Sequence, residues 1–361
     1  MINTDKILIE TCIFLNLSKQ EAAWVRRSLH TEEQRIEMLK WIRQNLEKHP
    51  KPIDIIIAAC EIQENHRDAS TNFITTKFDK DLEKRKSLII VNSPSSAGTM
   101  KIARMIMNNE DNIGIVYLDF SFDAFTFPQK YTIKDIKAIN AQNDFMEWWW
   151  LTDAFCEFLK INLDDFDRIT VWHGDSTSEL MFLYFFADYF RKPFHTLDVS
   201  LYAKNGRGVE PSFLDPRQLV ELYGKERLLS DEEVVNLRVK ALNIKIGDTG
   251  YHHLNDEGNV INILPENYTD TIVAVLEEHG GELRLSRLIG ELLGNKLKKC
   301  SEHFIVKLII HHLRQELIKA FWFVDGTEIL PNKYYFNIGY NPGPKDFCYS
   351  TVIVRLPKVL Y

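Results

Sequence analysis

A histidine, two acids and several hydroxyl side chains crowd one short segment, Trp172-His173-Gly174-Asp175-Ser176-Thr177-Ser178-Glu179. An imidazole beside carboxylates can move protons near neutral pH. Small residues between an apolar strand and a helix start allow an anion to reach the unpaired N–H groups at the helix N-terminus, where the partial positive charge favours phosphate or carboxylate. A second segment, Ile90-Val91-Asn92-Ser93-Pro94-Ser95-Ser96-Ala97-Gly98, repeats the order of strand, tight polar loop and helix start. Matching Ser96 to Ser176 puts the two helices in register and suggests a duplicated unit.

The candidate ligand contacts are therefore Asn92, Ser93, Ser95 and Ser96 in the first loop and His173, Asp175, Ser176, Ser178 and Glu179 in the second. Asp119 and Ser121 follow an intervening strand, and Asp198 follows the last one, so both positions project to the same edge. Capping of the helix behind each loop competes with ligand binding, because Ser, Thr and Asp do this more often than anything else at such positions.

Other chemistries lack their motifs. No Walker-type loop or GxGxxG loop occurs, and Gly174-Asp175-Ser176 lacks the flanking glycines of a nucleophile elbow. Catalysis is permitted and not required, and no cofactor is indicated. His173 with Asp175 alone is no metal motif. Cys12, Cys60, Cys156, Cys300 and Cys348 are far apart, and the pairs His252-His253 and His311-His312 point their rings in diverging directions, so no metal site is expected.

The elements that must hold these residues are legible from periodicity. Ser18 and Glu21 form a capping box, and apolar residues at helical spacing (Leu29, Ile36, Leu39, Ile42, Leu46) make the first region helical until His49-Pro50, with a short helix restarting at 55–62. The polar stretch 64–86 suits a linker. Short β-branched runs then alternate with helical ones: strands at 88–91, 113–118, 169–172 and 194–199, helices at 98–107, 144–159 and 178–190. That alternation predicts a mostly parallel α/β sheet with flanking helices, Rossmann-like, with both loops at the carboxyl edge where open sheets bind ligands. Trp148-Trp149-Trp150 cannot all face one core, which would put at least one at a domain contact or pocket wall; the commoner outcome for Trp, favoured here, is that they seal the sheet against the next layer. A helix starts at Ser230-Asp231 with Glu232 and Glu233 in its first turn.

Beyond 269 three helices (269–278, 284–293, 302–318) and two strands (320–324, 334–338) around Asp325-Gly326 follow the order of a winged-helix module. The expected domains are thus 1–63 helical, 64–86 linker, 87–228 α/β and 229–361 winged-helix-like.

Composition sets the wider limits. With 361 residues, 45% hydrophobic and 26% charged, the chain can build more than one core. No apolar run approaches the roughly 20 residues of a membrane span, and no apolar signal segment opens the sequence, so a cytoplasmic protein is expected. A formal charge of −7 gives no global attraction to nucleic acid.

The strand and loop 89–98, the acid-ended strand Tyr117-Leu118-Asp119-Phe120-Ser121 and the segment Val171-Trp172-His173-Gly174-Asp175-Ser176 resemble a bacterial family, the domain of unknown function eighteen thirty-five. That family commonly carries Gly-Asp-Ser in its first loop, where this chain has Asn92-Ser93-Pro94. The segment from Ser230, with Leu237-Arg238 and the helical run to Ile318, is similar to the companion domain of unknown function thirty-six fifty-eight. The resemblance implies no activity.

Three functions compete. In the first, the two loops hold a small anionic ligand, a nucleotide or a phosphorylated metabolite. In the second, the C-terminal module contacts a protein partner or nucleic acid through Lys296, Lys298, Lys299, Lys307, His311, His312 and Arg314. Glu302 and Glu316 dilute that face, which favours protein over nucleic acid. The third makes the chain an assembly subunit.

Overall fold

The computed structural model of the chain describes residues 4–17, 22, 25–26, 29, 31–50, 55, 58, 62, 82–107, 112–141, 143, 145, 153–203, 209–330, 333–334, 336, 347–349 and 351–357. Two compact units form, Met1–Thr76 and Lys77–Tyr361. Ser18, Glu21 and Trp148-Trp149-Trp150 lie outside the described residues, as does most of 64–86.

In the first unit, helices α1 (Thr4–Phe14) and α2 (Glu32–Asn45) pack through Leu8, Cys12, Met38 and Ile42. Thr31 caps α2 in a reciprocal box with Gln34, and Asp5 holds the guanidinium groups of Arg26 and Arg35. Ile55, Ala58 and Ile62 are helical and buried, as one face of the expected short helix requires.

The second unit is an α/β structure. Its sheet begins with β1 (Ser87–Val91), which leads through α3 (Pro94–Ile106) to β2 (Ile113–Tyr117). Helices α4 (Ile133–Ala141) and α5 (Asp153–Phe158) precede β3 (Arg168–His173), and α6 (Thr177–Phe190) leads to β4 (His195–Asp198). The short helix α7 (Pro216–Leu222) precedes β5 (Arg227–Leu228), which closes the edge antiparallel to β4. The order is β2-β1-β3-β4-β5, with the first four strands parallel.

Alternation along the strands builds two layers. Ile89, Val91, Ile115, Trp172 and Leu197 face α3 and α7, while Leu88, Ile90, Val116 and Val171 face the phenylalanine-rich α6. The chain leaves β1 toward one side of the sheet and β3 toward the other, so the strand order reverses between them.

Helix α8 (Asp231–Lys245) packs along α6, capped by a Ser230–Glu233 box, and the hairpin β6 (His252–Leu254) and β7 (Val260–Asn262) follows. Then come α9 (Thr269–Glu278), β8 (Glu282–Arg284), α10 (Leu285–Glu291), a π-helical turn, α11 (Glu302–Arg314), β9 (Lys319–Trp322) and β10 (Val352–Arg355). The last three strands make an antiparallel sheet in the order β8-β10-β9. Three helices stand where the sequence places them, but β9 pairs with β10, a strand the sequence reading did not mark. Of the strand expected at 334–338, only Tyr334 and Phe336 are described.

One continuous core joins the phenylalanines of the parallel sheet to α9, α10 and α11, across Leu229. Among the described residues no helix is long and apolar enough to cross a membrane.

Candidate functional site

Parallel pairing of β1 with β3 (Ser87↔Arg168 through Ile90↔Val171) brings both polar loops to one edge of the sheet. Their side chains touch: Asn92 Nδ2 donates to Ser178 Oγ at 3.3 Å. Ser178 Oγ also accepts the Phe122 N–H at 3.1 Å, which ties the segment after β2 to the same point. Asp119 takes a left-handed conformation (φ 55°), and its N–H donates to Asn92 O at 2.7 Å. Asp is among the residues that tolerate that region.

The helix caps fall differently from the sequence match. Ser93, not Ser96, caps α3, accepting the Ser96 N–H at 3.1 Å, with Pro94 in the first turn where a missing N–H costs nothing. Ser176 caps α6 and accepts the Glu179 N–H at 3.2 Å. The equivalent residues are therefore Ser93 and Ser176, and α3 starts four residues earlier than its apolar periodicity indicates.

Much of the first loop is occupied by the protein itself. Ser96 is fully buried, and its Oγ accepts the Ser212 N–H at 3.2 Å; Ser95 is exposed. Ser121 Oγ contacts His303 Nδ1 on α11, an imidazole driven down to about 3 by burial and so neutral. Asp123 beside it is buried and accepts Ser301 N–H and O–H, each at 2.6 Å; burial still pushes its carboxyl up to about 6.

The second loop is pinned by the segment after residue 208. Asp175 N–H donates to Val209 O at 3.2 Å, Val209 N–H returns to Asp175 Oδ1 at 2.9 Å, and Lys299 Nζ lies 2.9 Å from Asp175 Oδ2. Gly174 is required here by space: a Cβ would lie 1.4 Å from Val209 O. Its N–H donates to Glu179 Oε2 at 3.0 Å. Glu179 is 2% exposed, and burial, with Glu210 nearby, raises its carboxyl to about 8. Glu179 is thus an uncharged acid at neutral pH.

His173 is also buried, although its place after a strand in a glycine-bearing turn suggested partial exposure. Val209 closes over the adjoining Gly174 and Asp175, a long-range contact with no local signature. Burial depresses its pKa, against the Gly174 carbonyl and Asp198, which act the other way. Nδ1 bonds Gly174 O at 2.8 Å and must therefore carry the hydrogen, which leaves Nε2 as an acceptor.

A pocket of about 440 Å³ opens at the carboxyl ends of β3 and β4, one strand along from the point where the order reverses. Thr196, Leu197 and Asp198 line it from β4, Leu183 from α6, and Asn236, Leu237 and Lys240 from α8. Leu201, Tyr202, Lys225, Arg227, Leu229 and the acidic Glu233 complete the lining. Of the candidate ligand contacts and edge acids named from the sequence, His173 and Asp198 line this pocket; most of the others hold the loops, the caps and the packing against the C-terminal segment, and Ser95 is exposed. Arg227 pairs with Glu233, Lys225 sits 5.7 Å from the Tyr202 ring and Lys240 5.4 Å from that of Tyr184. Asp198 Oδ1 is taken by Ser200 N–H and O–H.

Sequence reasoning missed the three cations because a short connection (Lys225), the two-residue antiparallel β5 (Arg227) and α8 (Lys240) supply them. The one available signal was the Lys225-Glu226-Arg227 run three residues before the Ser230 cap.

No protein-family model matches this chain, and no curated protein matches it.

Proposed function

We propose that this protein binds a small anionic ligand, a nucleotide or phosphorylated metabolite, in the pocket at the carboxyl ends of β3 and β4. The observation that carries the reading is the meeting of Lys225, Arg227 and Lys240 around a cavity of ligand size, about 440 Å³, at the edge where open parallel sheets take their ligands. The cations suit a phosphate or carboxylate, and the neutral His173 offers Nε2 to a hydroxyl or amino hydrogen. The ligand therefore has one anionic end and a hydrogen-bond donor several ångströms away.

The strand order 2-1-3-4-5 supports a Rossmann-like reading of the sheet. The order helix, strand, helix, helix, strand, strand from α9 to β10 supports a winged-helix-like one. Kinship with the two domains of unknown function belongs to the same proposal. Contact of the C-terminal module with nucleic acid is the weaker alternative, because its bases are engaged within the chain. Lys307 donates to Gly250 O, His311 meets Glu266, and Lys299 meets Asp175.

The test is thermal melting of the full chain against a panel of nucleotides and sugar phosphates. A true ligand at about 100 times its Kd adds ~2.7 kcal/mol to the folded state and raises Tm. Arg227→Gln and Lys240→Gln should each abolish most of that shift while Ser95→Ala keeps it. A panel without any shift, or a shift indifferent to both cation variants, rejects the pocket.

A further inference from the structure

Resting on the anionic-ligand reading of the pocket at the ends of β3 and β4, we propose that its ligand is a nucleoside monophosphate whose base carries an exocyclic amino group, seated with the base inward and the phosphate at the mouth. Burial orders the lining from floor to mouth. His173, Leu183, Leu197 and Leu229 are buried, whereas Lys225, Arg227, Lys240 and the Tyr202 ring are exposed. The charged end of the ligand therefore stays near solvent, and its other end enters a floor made chiefly of leucine.

The buried side chains of that floor accept hydrogen bonds and have none left to donate. His173 Nδ1 gives its hydrogen to Gly174 O at 2.8 Å, so Nε2 is an acceptor. Thr196, also buried, spends its hydroxyl hydrogen on Val171 O at 3.2 Å. A carbonyl or carboxylate placed there would meet lone pairs, whereas an amino group supplies the hydrogens. Leu183, Leu197, Leu229 and Leu237 come from four separate stretches of the chain, and their side chains offer no hydrogen bond. The hydroxyls of a sugar would lie unpaired against them, at a cost in free energy. A heterocyclic base instead presents apolar faces to the leucines and carries its N–H groups at one edge, as the amino groups of adenine and cytosine do.

Charge at the mouth sets the number of phosphates. The cations Lys225, Arg227 and Lys240 stand against the carboxylates of Asp198 and Glu233, which leaves a small positive excess. Neither acid is free to turn away. Glu233 pairs with Arg227 and accepts the Ser230 N–H at 2.8 Å in the cap of α8, and Asp198 is held by Ser200. A monophosphate matches a field of that size, but the further charges of a triphosphate would be set beside two fixed carboxylates.

Isothermal titration of the full chain tests this. The probes are adenosine and cytidine monophosphate, each beside its analogue with hydrogen in place of the amino group, the corresponding triphosphates, and ribose 5-phosphate. At least one of the two nucleotides should bind about tenfold or more tightly than its analogue, since the missing amino group leaves His173 Nε2 unpaired. Ribose 5-phosphate should bind more weakly still, and the triphosphate no more tightly than the monophosphate. His173→Phe should bring the nucleotide down to the level of its analogue and leave the analogue unchanged, whereas Lys240→Gln should weaken both alike. If His173→Phe does not fold, the comparison of nucleotide with analogue on the wild-type chain decides. Equal binding of nucleotide and analogue, a preference for ribose 5-phosphate or for the triphosphate, or failure of both nucleotides while another anion binds overturns this proposal and leaves the anion pocket standing. Failure of every anion takes the pocket with it.

Discussion

Glu179 shows how one side chain changes meaning between sequence and structure. Read in the chain it is an acid near a histidine; in the fold it is a buried, protonated group that accepts the Gly174 N–H. Its folded pKa, about 8, lies above the ordinary carboxylate value, so the native state binds the extra proton and stability falls as pH rises from about 4.5 through 8. Glu179→Gln, which keeps the acceptor and removes the charge, should therefore melt above the wild type at pH 9, by about 2 °C or more, and match it at pH 5. Melting curves at the two pH values check this. Gly174→Ala fails for a steric reason: Val209 must retreat, and both of its hydrogen bonds with Asp175 go with it. A loss of about 2 kcal/mol or more in urea unfolding is expected, with the helix content of the folded state unchanged.

Helices α6 and α8 are held together by a polar clamp within an apolar contact. Asp188, 3% exposed, accepts Lys245 Nζ at 2.8 Å and Tyr131 Oη at 2.5 Å, with Arg238 at 3.6 Å. Burial alone would raise the Asp188 pKa, but the hydrogen bonds from Lys245 and Tyr131 outweigh it and hold the carboxyl below its usual value. The stabilisation is then present above about pH 4 and lost as pH falls through the folded value. Asp188→Asn leaves Lys245, at 11% side-chain exposure, without its counter-charge and should cost about 3 kcal/mol at pH 7. Urea midpoints at pH 7 and pH 3 test it, because the gap should narrow in acid. The elements themselves were largely legible. β-branched runs alternating with helices mark β1 to β4, and Ser230-Asp231-Glu232-Glu233 announces α8. What stayed hidden depends on distant partners. The two residues of β5 carry no period, the loop after His173 is closed over by Val209 from far along the chain, and Lys240 reaches the pocket only because α8 folds back along α6.

At the scale of the whole chain, the N-terminal unit and the larger unit each have a core of their own, and the core of the larger one runs on past the end of β5. Phe120 and Phe122 share their core with Phe304 and Ile305, Asp123 is satisfied by Ser301, and the Thr177 N–H at the start of α6 donates to Lys299 O at 2.8 Å. Chain stopped after Leu228 should therefore aggregate or bind a dye for exposed apolar surface, whereas the full chain should not; a soluble, cooperatively melting fragment would sink this expectation. The Asp123–Ser301 contact also has a temporal side. The chain must be synthesised for roughly 100 residues beyond β4 before Ser301 exists, which at about 5–20 residues per second is on the order of 5–20 s. During that interval the emerging sheet carries an unsatisfied acid and uncovered aromatic rings, so the nascent chain is open to aggregation before the finished fold can exist.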